Sequence, residues 1–159
     1  MAAGTDATTA TAERELVITR VLDAPRSLVF KVWTDPVHLA RWWGPRDFTL
    51  PSCELDLRPG GTFRLLMRSP EDTLHRLHGV YREIKEPDRL SFTWAWVDED
   101  GNPGHETLVT VTFAEQDGRT LLTLRQAEFE SETARDAHEG GWTQCLDRLA
   151  AYVPLASTA

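Results

Sequence analysis

The side chains best placed for chemistry are a few imidazoles and one thiol. Imidazole is the group that changes charge near neutral pH. His78 sits in the run Leu77-His78-Gly79. Turned inward it is a hydrogen-bond partner or a proton shuttle; turned outward it is an exposed strand histidine, and the phase of residues 74–85 leaves both open. His138 shares a spacing of four, three and four with Trp142, Cys145 and Leu149, which places all four on one face of a helix. Cys145 and His138 stand seven residues apart, about 10 Å along a helix axis, too far for a nucleophile–base hydrogen bond. The thiol therefore reads as a small hydrophobe. His105 and Glu106 are adjacent in an extended run, where neighbours point to opposite faces. The chain has no G-x-S-x-G elbow, no P-loop, no G-x-G-x-x-G and no H-E-x-x-H. It has no Cys/His cluster at metal-ligand spacing and nothing that calls for a cofactor. These features favour a binding role over catalysis; an enzyme reading would rest on His78 and His138.

Composition narrows the partners. The 159 residues carry a formal net charge of −8, which argues against nucleic acid and against anionic membrane surfaces. No apolar run approaches the roughly 18 residues that span a bilayer. Residues 1–13 are rich in Ala and Thr, without a basic region or an apolar core. They read as a flexible tail rather than a signal peptide, and the expected location is the cytoplasm. Two cysteines far apart in sequence, Cys53 and Cys145, read as reduced thiols.

The elements that position these residues follow from periodicity. Glu15 to Leu22 is a β-rich run that reads as the first strand. Ala24-Pro25 and Thr34-Asp35-Pro36 are two successive helix starts, with Asp35 as the second cap. Gly44-Pro45 ends the second helix. From Leu50 onward the chain reads as strand and turn. Phe63, Leu65 and Met67 alternate with Arg64 and Arg68, and Phe92, Trp94 and Trp96 alternate with Ser91, Thr93, Ala95 and Val97. Arg58-Pro59-Gly60-Gly61 and Asp117-Gly118 are turns. Ser131 to Val153 reads as one long amphipathic helix, with Ser131 as N-cap and with Gln144 and Arg148 on the side away from Trp142. Gly140-Gly141 marks either a close approach to sheet or ligand, or a kink. The order is β-α-α-β-β-β-β-β-β-α, and its short turns require antiparallel neighbours. The expected architecture is α+β: a seven-stranded curved antiparallel sheet wrapped around a long C-terminal helix, with two short helices after strand 1. One domain over residues 14–154 is expected, with 155–159 as a C-terminal tail.

Several motifs carry a resemblance. They are Ala24-Pro25 with Val29-Phe30, Trp33-Thr34-Asp35-Pro36, Trp42-Trp43-Gly44-Pro45 and Asp56-Leu57-Arg58-Pro59-Gly60-Gly61. Gly79-Val80-Tyr81-Arg82-Glu83-Ile84 and His138 with Gly141-Trp142 continue the series. Together they resemble the activator-of-heat-shock-protein-90-ATPase homologue family of the START-like superfamily. The resemblance spans about Glu15 to Val153. It implies the helix-grip fold of the birch pollen allergen and a deep, mostly apolar cavity between sheet and long helix.

Inward faces then nominate the residues around such a cavity. The sheet contributes Phe63, Leu65, Met67, Phe92, Trp94 and Trp96, with His78 as the polar candidate. The long helix contributes His138, Trp142, Cys145 and Leu149. Trp33 and Trp43 close the mouth from the helical arm. Six tryptophans in 159 residues make an aromatic lining the natural use of these faces. The expected partner is a small hydrophobic or aromatic molecule. The alternatives are a chaperone partner whose ATPase is regulated by contact, and a hydrolase or cyclase working in the same cavity. A monomer and a homodimer are both compatible with the chain.

Overall fold

A computed structural model of the chain describes residues 14–156. The N-terminal stretch expected to be a tail, residues 1–13, lies outside the described residues, as do residues 157–159.

The seven strands are β1 (Leu16–Leu22), β2 (Thr49–Leu55), β3 (Thr62–Arg68), β4 (Leu74–Lys85), β5 (Arg89–Val97), β6 (Thr107–Gln116) and β7 (Arg119–Ala127). The helices are α1 (Arg26–Thr34), α2 (Pro36–Trp42) and α3 (Glu132–Ala156). The strands form one antiparallel sheet in the order β1-β7-β6-β5-β4-β3-β2. The first strand therefore pairs with the last, and α1 and α2 carry the chain from one edge of the sheet to the other. Register shifts in β2–β3 and between Tyr81 and Glu83 in β4–β5 act as bulges that help the sheet curl.

Local chemistry accounts for the corners. The Asp35 carboxylate accepts from the Val37 N–H, and Pro36 fills the first turn of α2, where a missing N–H costs nothing. Gly44, at φ 98°, turns the chain out of α2 in a conformation open to glycine. Asp117 and Gly118, at φ 52° and 81°, make the two-residue β6–β7 hairpin. The Ser131 hydroxyl accepts from the Ala134 N–H and caps α3.

The core lies between the concave sheet face and α3. Leu77, Val109, Val111, Leu122 and Leu124 of the sheet are fully buried, as are Leu146, Leu149 and Val153 of α3. Gly79 stands opposite Phe63 in the β3–β4 ladder, and the Phe63 ring lies across it. A Cβ at Gly79 would fall 2.2 Å from that ring and 2.1 Å from the Thr93 carbonyl oxygen, so the close approach admits only glycine.

α3 runs one turn further than its apolar stripe suggests, through Pro154 to Ala156. Proline removes one intrahelical hydrogen bond, yet Val153 and Ala156 are both buried and hold this turn against the core. Among the described residues, no helix is long and apolar enough to cross a membrane.

Candidate functional site

A cavity of about 260 Å³ lies between the sheet and α3. Its floor is Met67 of β3, His75 of β4, and Trp94 and Trp96 of β5. Its roof is one face of α3: Ala137, His138, Gly141, Trp142 and Cys145. The connection after α2 supplies a side wall of Trp43, Gly44, Pro45 and Phe48. The space exists partly because the roof carries small residues. A Cβ at Gly141 would meet only the Pro45 ring, at 3.8 Å, so larger side chains at this position would project into free volume.

The walls are mainly aromatic. The rings of Trp43, Trp94 and Trp142 contact one another, with centroids 5.3–5.8 Å apart. Each such pair adds about 0.5–1.5 kcal/mol beyond area burial. The trio is fixed from behind by a buried polar chain. The Trp142 indole N–H donates to the Gln126 side-chain oxygen at 2.8 Å, and the Gln126 amide N–H donates to the Thr107 hydroxyl at 2.8 Å. Gln126 is fully buried, so these bonds satisfy an amide that would otherwise be costly there. The Trp94 indole N–H is buried without a partner among the described residues.

His138 has both ring nitrogens engaged. Nδ1 faces the Ala134 carbonyl at 2.9 Å, and Nε2 faces the Trp96 indole N–H at 3.2 Å. A carbonyl can only accept and an indole N–H can only donate. Nδ1 therefore carries the proton, and Nε2 accepts from Trp96. Burial pushes the His138 pKa below its ordinary value of 6.5, against smaller raising effects from the Ala134 hydrogen bond and Glu130. A neutral imidazole with no free nitrogen is a wall component rather than a ready general base.

The thiol is equally quiet. Burial pushes the Cys145 pKa up to about 12, and its sulfur lies 3.9 Å from the Trp42 carbonyl oxygen. A thiol held this firmly protonated is a poor nucleophile.

The side wall is tied to the roof by α3. One terminal guanidinium nitrogen of Arg148 lies 3.1 Å from the carbonyl oxygens of Trp43, Gly44 and Pro45, and 3.2 Å from that of Phe48. Gln144 adds a second tie, its side-chain oxygen accepting from the Arg46 N–H at 3.0 Å. The helical wheel alone puts both residues on the solvent side. Both lie instead at the edge of the face that meets the 43–48 connection, where their length lets them reach back to it.

The residues nominated by the sequence end in four different settings. Trp43, Met67, Trp94, Trp96, His138, Trp142 and Cys145 all border the cavity. Trp33, Phe63, Leu65 and Phe92 instead surround a second void of about 20 Å³, with room for a single water-sized group at most. Trp33 is buried and stacks on Trp142 at 6.1 Å, behind the cavity wall rather than at a mouth. Leu149 is packed entirely in the core.

His78 lies on the opposite sheet face from buried Leu77, Gly79 and Tyr81, across from Arg64 on β3. Partial desolvation and Arg64 lower its pKa. His75, two residues before Leu77, faces inward in its place. Counting back by two from Leu77 and Tyr81 would have found it. Phe48 and Pro45 had no periodic signal, because they lie in an irregular connection.

A curved antiparallel sheet gripping a long C-terminal helix over an internal cavity defines the helix-grip, START-like class. The chain belongs to the Activator of Hsp90 ATPase homolog 1-like protein family, whose model matches residues 23–154. No curated protein matches the chain. Solved structures of similar proteins agree on the fold. A member of the same family from Silicibacter pomeroyi is 29% identical, with a TM-score of 0.80 over 89% of this chain and 98% of that one. A protein from Arthrobacter aurescens is 28% identical, with a TM-score of 0.79 over 90% of this chain and 87% of that one. A protein from Nitrosomonas europaea is 25% identical, with a TM-score of 0.79 over 93% of this chain and 99% of that one.

Proposed function

We propose that this protein is a cytoplasmic, non-catalytic binding module for a small hydrophobic or aromatic molecule held between the sheet and α3. The observation that carries this reading is the cavity of about 260 Å³ with aromatic walls, left open by Ala137 and Gly141 on its roof. A volume of this order suits a ligand of about ten to fifteen non-hydrogen atoms. Acid–base catalysis has weaker support, since His138 is neutral with both nitrogens engaged and the Cys145 thiol stays protonated.

Tryptophan fluorescence titrated with naphthalene tests the reading, because four indoles contact the space. Saturable quenching or enhancement is expected in the wild type. It should be lost in Gly141→Leu, which fills the cavity. Unaltered binding in that variant would sink the assignment of the cavity as the binding site.

The family's name supports a second reading, regulation of a chaperone ATPase by protein contact. Stimulation of the ATPase of an Hsp90-type chaperone by this protein, undiminished in Gly141→Leu, would favour it.

A further inference from the structure

We infer that the ligand is a flat, neutral aromatic carrying one hydroxyl group, with its oxygen at His75. The inference deepens the binding reading above and rests on it. Most polar atoms of the cavity wall are already used or out of reach. The Trp94 indole N–H has no partner among the described residues, but protein atoms cover it completely, so a ligand in the cavity does not meet it. The Trp96 indole N–H is spent on His138, and the Trp142 indole N–H on Gln126. The wall carbonyls of Trp43, Gly44, Pro45 and Phe48 accept from Arg148.

His75 is different. It lines the cavity and is half-buried, and among the described residues its imidazole makes no hydrogen bond. Its ring contacts are Phe48 at 5.9 Å and Trp96 at 6.1 Å, away from the Trp43–Trp94–Trp142 trio. The cavity therefore has an indole end at the trio, where the His138 imidazole is fully engaged, and an end at His75 with an unpaired imidazole.

That polarity selects a chemical class. The indole end takes a flat ring by stacking and edge contacts. An imidazole with one ring N–H offers one donor and one acceptor, the same complement as a hydroxyl. A plain hydrocarbon would strip water from His75 and return nothing. A carboxylate would enter a wall with no acidic or basic side chain apart from imidazole. The Arg148 guanidinium behind the side wall is already committed to carbonyls, so the carboxylate's desolvation would go uncompensated by it.

Naphthalene, 2-naphthol and 2-naphthoate share a ring system and separate these cases. Their affinities for the full-length protein can be measured by fluorescence titration and calorimetry. In the wild type, 2-naphthol should bind about three- to tenfold more tightly than naphthalene, as one added hydrogen bond predicts, with 2-naphthoate weakest. His75→Phe should bring 2-naphthol level with naphthalene. His75→Gln, which keeps a donor and an acceptor, should retain the preference. Equal wild-type affinities for 2-naphthol and naphthalene would overturn the inference while leaving the binding reading intact. So would tightest binding of 2-naphthoate, or a hydroxyl preference that survives His75→Phe. Failure of all three probes to bind would remove the binding reading and this inference together.

Discussion

Replacing Arg148 with Met should loosen the wall of the cavity and measurably destabilise the fold. The Met side chain keeps most of the aliphatic stem and removes the charge and the donors. In the wild type, four carbonyl oxygens lie 3.1–3.2 Å from one guanidinium nitrogen. That nitrogen carries two hydrogens, so four acceptors share two donors. The set counts as about two charge-assisted hydrogen bonds, each contributing about 1.5–3 kcal/mol when buried. Arg148 is half-buried, so sharing and solvent screening bring the expected loss to about 2–4 kcal/mol. For 159 residues the unfolding entropy is about 0.33 kcal/mol/K, which converts that loss into a fall in Tm of about 6–12 °C. Urea denaturation followed by circular dichroism measures the first quantity and a thermal melt the second. Hydrogen exchange should also accelerate at the Arg46 and Phe48 amides, whose acceptors belong to Gln144 and Pro45 of the same wall. Arg148→Lys should recover only part of the loss, because a compact ammonium cannot match the planar donor set. A Met variant within about 0.5 kcal/mol of the wild type, with unchanged exchange in residues 43–48, would refute the clamp.

Further outcomes follow from the same geometry. Gln126→Leu leaves the buried Trp142 indole N–H without its acceptor and should cost about 1–3 kcal/mol, with a shift in tryptophan emission; an unchanged melt would argue against the polar chain. Gly79→Ala forces a methyl group within 2.1 Å of the Thr93 carbonyl oxygen and 2.2 Å of the Phe63 ring. It should destabilise by more than about 3 kcal/mol or prevent folding, and a soluble variant with wild-type stability would contradict the packing. His138 has a folded pKa below 6.5, so as pH falls past that value the unfolded chain takes up its proton first. Its contribution is therefore complete above about pH 6.5 and is lost as pH drops through the folded pKa. The stability advantage of wild type over His138→Gln should shrink between about pH 7.5 and about pH 5, and a constant difference would count against the neutral imidazole. With its pKa pushed up to about 12, Cys145 should resist iodoacetamide at about pH 8 in the folded protein and react on unfolding; rapid native labelling at this residue would show that the thiol is accessible.

By itself the sequence determined the elements, their order and the inward residues of the cleanly alternating strands. Alternation in Phe92-Thr93-Trp94-Ala95-Trp96 puts the three large rings on one face of the strand, and the Asp35-Pro36 and Ser131 caps act through their immediate neighbours. Local chemistry of this kind is complete within a few residues. The division of inward residues between solid core and cavity is not local. Phe63 and Phe92 point to the same concave side as Trp94, but the Gly79 gap draws the Phe63 ring down onto the sheet, while Gly141 and Ala137 leave room above Trp94. His78 and His75 differ by one strand phase plus one residue, and only the packed β4 shows which imidazole meets the interior. Arg148 is a solvent-side residue on an isolated helix. It becomes a clamp because the fold brings four carbonyls from a hundred or so residues earlier within reach of one nitrogen. Cavity volume and long-range hydrogen bonds depend on where distant backbones finally sit, and tertiary packing alone decides that.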